Sequence, residues 1–207
     1  TAGGDATGAA LSDASATARA QAGGIDGGDG IDAIENSGEL DLRARSDAVG
    51  VAAAVTVAGT MDGNAESRAV SDASVTAESD VTGISGGAGG DTITNTGVIR
   101  LMDNKDDDAI ATAVAVSLNV TGSLDGDVDG QALSDSSATA NASAIGIDGG
   151  TGSDTIDNQA DIFADVGADV LGVAVAANVG FTLDGDSTGA ALSDTSAEAV
   201  DAATGID

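Results

Sequence analysis

The chain of 207 residues has no Cys, no His, no Trp and no Tyr, only two Phe, and 6 basic residues against 35 acidic ones. Each shortage closes a class of function. Without Cys there is no disulfide to staple the fold and no thiolate for a metal, and without His or Cys a zinc or copper site is not expected. A net charge of −29 excludes nucleic acid as a partner, because phosphate contacts need clustered Lys and Arg. Catalysis has little to work with: Lys105 is isolated, the five Arg share no repeating position, and sugar sites would need aromatic platforms. No enzyme is expected. No apolar run approaches the roughly 18 residues of a spanning helix, so membrane insertion is not expected either.

What remains is small. Apolar residues make up 42% of the chain, but Ala, Val and Gly supply most of them. Large side chains, aromatics above all, normally fill a globular core. Small ones suit a thin core, such as the gap between two closely approaching sheets. The acidity has three readings: disorder, solubility in salt, or a store of oxygen ligands for a hard cation. Exact spacing argues against disorder.

That spacing is the strongest signal. Gly-Ile pairs at Gly24, Gly83, Gly146 and Gly205 are separated by 59, 63 and 59 residues, and Ser-Asp pairs at Ser12, Ser71, Ser134 and Ser193 repeat the same three steps. Asn36, Asn95 and Asn158, and the Asp-Gly pairs at Asp62, Asp125 and Asp184, keep the same time. The units run approximately 1–25 (partial), 26–84, 85–147 and 148–206. The longer step places an insertion between Asn95 and Asp125, most plausibly at 103–108, and insertions survive in exposed loops. Neither terminus falls on a unit boundary, so the chain is expected to be a window on a longer repetitive protein, with any signal, anchor or cap outside it. Long-period repeats of this kind stack as solenoids.

Alternation with period 2 marks strands. In Ala132–Gly146 one phase is Ala, Ser and Gly and the other is mostly polar, as is the corresponding stretch Ala10–Gly24. In the fourth copy Asp201 falls in the packable phase, where a carboxylate would need a partner. Ile110–Val120 sets Ile, Thr, Val and Leu against Ala, Ser and Asn; both faces are small or apolar, so it is expected to be the most buried strand. Asp91–Leu101 is broken by a turn at Asn95-Thr96-Gly97. The Asp-Gly pairs either close hairpins or bend the chain between two faces of a coil. The fold expected is all-β, a parallel β-solenoid (β-helix) with one wide coil per ~60-residue repeat; the alternative is three ~20-residue rungs per repeat. In the wide coil, equivalent residues stack about 4.8 Å apart and the three Asn form a hydrogen-bonded ladder. In the alternative they lie roughly 14 Å apart.

Gly27–Glu35, Gly86–Thr94 and Gly149–Asp157 each fit Gly-Gly-x-Gly-x-Asp-x-(large apolar)-x. This resembles the calcium-binding nonapeptide of RTX repeats. The resemblance implies Ca²⁺ held by Asp32, Asp91 and Asp154 with carbonyls of the turns Gly27, Gly28 and Gly30; Gly86, Gly87 and Gly89; and Gly149, Gly150 and Gly152. Ile34, Ile93 and Ile156 would be the apolar anchors. Asp91-Thr92-Ile93-Thr94-Asn95-Thr96-Gly97-Val98-Ile99 is similar to rungs of autotransporter and adhesin passenger β-helices, which implies an extracellular or cell-surface bacterial protein. Electrostatics points to a cation separately: carboxylates stacked at 4.8 Å repel by roughly 3 to 4 kcal/mol at an effective dielectric near 20. Two functions stay open. One is structural, a calcium-stabilised rod forming a filament or stalk, self-associating end to end or with further repeats of the same protein. The other is the extender region of a surface adhesin whose binding domain lies outside this chain.

Overall fold

The computed structural model describes residues 3–102 and 108–207. In chain order, β1 (Ala6–Asp26), β2 (Ala33–Asn36), β3 (Leu40–Leu42), β4 (Ser46–Thr60) and β5 (Ala65–Ser85) are followed by β6 (Ala88–Gly89), β7 (Thr92–Asn95), β8 (Ile99–Leu101), β9 (Ala109–Asp125) and β10 (Val128–Asp148). The chain ends with β11 (Thr151–Gly152), β12 (Thr155–Asn158), β13 (Ile162–Ala164), β14 (Ala168–Asp184) and β15 (Ser187–Ile206). Every strand pairing is parallel and joins equivalent positions of successive repeats. The sheets are ordered β1-β5-β10-β15, β4-β9-β14, β2-β7-β12, β3-β8-β13 and β6-β11. Asn36 pairs with Asn95, and Asn95 with Asn158. The protein is a parallel β-solenoid with one wide coil per repeat, and the 20-residue rung is not formed.

The coil is flat. A 21-residue strand spans about 70 Å, while four stacked strands rise only about 14 Å between the first and last. The chain is therefore a slab, wider than it is tall. Along the chain each coil crosses a long strand, turns at the glycines, passes two short strands and returns along a second long strand. At Asp62-Gly63, Asp125-Gly126 and Asp184-Gly185 it bends from one long sheet to the other rather than closing a hairpin.

Two cores follow from this outline. Between the long sheets lies a thin layer of alanine, including Ala73, Ala77, Ala111, Ala113 and Ala140, with Val75. Toward the Asp-Gly bends it becomes polar and hydrogen-bonded: Ser71 meets Ser117 at 2.7 Å, and Asn119 Nδ2 donates to Asn178 Oδ1 at 2.8 Å. At the glycine end the short strands widen the coil, and Ile34, Ile84, Ile93, Ile99, Leu101 and Ile147 fill the extra space. The anchor positions Ile34 and Ile93 sit in this core, with Ile156 packed against it.

One expectation needs correction. β9 is buried on its alanine phase alone; its bulky phase forms part of the outer surface of the slab, with Leu118 37% exposed. The reason is the closeness of the two sheets: a Cβ added to Gly50 would lie 2.6 Å from Val75 Cγ2, so only the small phase fits inside. The insertion at 103–108 lies outside the described residues except for Asp108. That residue is buried, its Oδ2 accepting from Gly167 N at 3.3 Å.

Candidate functional site

The three glycine corners are superposed by the stacking. Gly87 and Gly89 have φ of 91° and 145°, and their equivalents in the other coils are also positive. A Cβ on either would run into the carbonyl oxygen of Gly28 or Gly30 in the coil below. Only glycine meets both demands. The corner is hydrogen-bonded from coil to coil: Gly30 N donates to Ala88 O at 2.7 Å, Ala88 N to Gly28 O at 2.8 Å, and Thr151 N to Gly87 O at 2.9 Å. Gly27 N and Gly86 N donate to Ser85 O and Asp148 O.

The motif aspartates Asp32, Asp91 and Asp154 are brought into one column. Asp32 N donates to Asp91 Oδ1 at 2.8 Å, and Asp91 N donates to Asp154 Oδ1 at 2.9 Å. The carboxylate thus replaces the strand carbonyl where the ladder lapses at the corner. Asp91 is only 1% exposed. The second oxygens, Asp32 Oδ2 and Asp91 Oδ2, are buried and have no hydrogen-bond partner.

A buried carboxylate oxygen without a donor is costly, and a hard cation with oxygen ligands would satisfy it. In that respect the aspartate column fits calcium. The turn carbonyls fit less well, since those of Gly28 and Gly87 already accept ladder bonds. Among the described residues, no group of three or more acidic side chains converges as a ready-made metal cluster. A cation at this corner would rest on Asp32 and Asp91.

Other repeating groups act as structural ladders. Asn36 Nδ2 donates to Asn95 Oδ1, and Asn95 Nδ2 to Asn158 Oδ1, both at 2.7 Å. At the opposite bend, Asn64 N, Asp127 N and Asp186 N donate to the side chains of Asp5, Asn64 and Asp127 respectively. There the side chain reaches forward to the next coil, whereas the motif aspartates reach back. This second column was missed from sequence, although it keeps the same 59, 63 and 59 steps. The Asp26 and Asp148 carboxylates cap Gly28 N and Gly150 N.

The column Asp13/Asp72/Asp135/Asp194 is also in register, on the outer face of the long sheet. Asp72 is exposed, yet its carboxyl sits above the ordinary 3.8; partial desolvation in the sheet surface contributes most, then repulsion from Asp135 and Asp13. Arg19 with Glu78, and Arg100 with Glu39, form ion pairs at the surface.

Set against known proteins, the chain matches no family model, no curated protein and no solved structure. Its class is defined by its own geometry, a wide-coil parallel β-solenoid with one aspartate column running through its stacked glycine corners.

Proposed function

We propose that this chain is extracellular structural material of a bacterial surface, a calcium-stabilised solenoid extended into a filament or stalk by stacking further coils. The observation that carries the reading is the unbroken register through β1, β5, β10 and β15, with β1 and β15 each paired on one side only. Open strand edges of this length template further strands, and a head-to-tail repeat of one interface makes an open-ended assembly. The added coils come from the same protein or from another copy. Calcium at Asp32 and Asp91 would neutralise the two unpartnered oxygens and supply an electrostatic clamp between coils. The same register suits an extender region of an adhesin, with a ligand-binding domain elsewhere in the polypeptide.

The test has two arms. Electron microscopy of the concentrated protein should show filaments built on a repeat of about 4.8 Å; discrete particles at every concentration would remove the stacking reading. Thermal unfolding followed by circular dichroism should shift upward between chelator and calcium at about 1 mM, the range of weak extracellular sites. Asp91→Asn should abolish that shift. Superimposable curves would remove the metal.

A further inference from the structure

The outer surface of the β4-β9-β14 sheet is uncharged over its central part. In register, Val51, Val114 and Val173 stack in one column and Val57, Val120 and Val179 in another. The alternate positions between and beside them, 49–57, 112–120 and 171–179, hold Val, Leu and Ala with one Thr. Val49 is 64% exposed and Val57 74%. The opposite broad face carries the aspartate column Asp13/Asp72/Asp135/Asp194 beside a column of Leu11, Val70, Leu133 and Leu192. The centre of one side of the slab is thus uncharged and that of the other anionic.

This face measures roughly 30 Å along the strands by 14 Å across three coils, or about 400 Å² of plane. That lies within the range of the largest apolar patch on an ordinary monomer, and such patches mark interaction sites. We infer that the valine face is an interface on which a second copy of this chain packs face to face. Four observations select this occupant. The face is flat and pleated, so it matches its own copy: two such sheets interdigitate at about 10 Å, as in a β-sandwich. It is also the one broad surface on which two chains of charge −29 approach without opposing their carboxylates. In the pair the acidic faces lie outward, separated by four sheet layers, roughly 30 Å and several Debye lengths at physiological salt. Finally, the arginines at the end of the face are engaged by carboxylates of the same chain, Arg43 by Asp41, Arg45 by Asp47 and Arg100 by Glu39, rather than presented as the basic fringe that seats a protein on a bilayer.

The area sets the strength. Two faces bury about 800 Å², below the standard interface, so three coils give a weak, reversible dimer. Each added coil contributes roughly 140 Å² per copy, so a longer array would laminate firmly. The pairing is isologous and closes at two copies, unlike end-to-end stacking, and it holds whether or not the filament reading does.

Sedimentation of the full chain up to about 1 mM, the weak end of measurable association, should show a concentration-dependent doubling of mass, of the single chain or of whatever end-to-end stack it forms. Val51→Lys, Val116→Lys and Val179→Lys, staggered so that no two share a column, should together weaken dimerisation by about 100-fold or more. The milder Val→Thr set at the same positions should weaken it less. Thr17→Lys, Thr76→Lys and Thr139→Lys on the opposite face should leave it intact, with unchanged circular dichroism in all three sets. A monomer throughout, or a dimer indifferent to the valine substitutions, would overturn the inference. So would a monomer that binds phosphatidylcholine vesicles through this face.

Discussion

Asn95 is completely buried and uses its side-chain amide in both directions, accepting from Asn36 and donating to Asn158. Replacing it by alanine leaves a donor on one coil and an acceptor on the next without partners inside the protein. Each orphaned group costs about 1–3 kcal/mol, so Asn95→Ala should lower unfolding free energy by roughly 2–4 kcal/mol in urea titration. Asp72 works in the other direction. Its carboxyl holds a proton more tightly folded than unfolded, so the folded state binds more protons between the ordinary 3.8 and its raised value. Its contribution is favourable below 3.8 and is lost as pH rises through the raised value. Asp72→Asn should therefore melt higher than the parent at pH 7, by a margin that shrinks as pH falls and as salt screens Asp135 and Asp13. Both residues were legible in the sequence, because constant spacing places equivalent side chains on top of one another. What the Asp32/Asp91/Asp154 column does was less so. Spacing reveals that the carboxylates meet, but not that Asp91 caps the Asp32 N–H with one oxygen and leaves the other, buried, without a partner.

At the scale of the strand, alternation located β1, β9 and β10, and the repeat their equivalents, but β9 is fully buried on one phase only, not on both as its composition suggests. In β9 both phases are apolar or small, and the usual expectation sends the bulky phase inward. The facing strand decides otherwise. The inner phase of β10 consists of Ala, Ser and Gly with Val128 at its start, and two such faces approach too closely to admit Val or Leu except opposite a glycine, as Val75 lies opposite Gly50. No period count carries that information, since it depends on which strand lies opposite. The ordinary rules of core mutation should accordingly be inverted. Ala113→Val, at a fully buried site, should overpack and cost about 1–3 kcal/mol. Val114→Ala, on the next residue but on the outer face, should change stability by under about 1 kcal/mol. Denaturant titration of the two variants compares them directly, and a larger loss for Val114→Ala would contradict the assignment of faces.

For the whole molecule, everything rests on the wide coil. It places the glycine corners in one stack, sets the aspartate column, aligns the valines and leaves the end strands open. Three short rungs per repeat would bring none of these together. The chain has no cysteine of its own, so a pair introduced at Ser74 and Ser137, which are direct neighbours in the long sheet, reports the register alone. Their Cα atoms should stand about 5 Å apart, within disulfide reach. Oxidation of Ser74→Cys/Ser137→Cys should give an intramolecular cross-link in high yield, read by peptide mass spectrometry, with the fold unchanged by circular dichroism. Absence of that cross-link, with Ser74→Cys instead pairing to a cysteine placed about 20 residues away, would show short rungs and contradict the account.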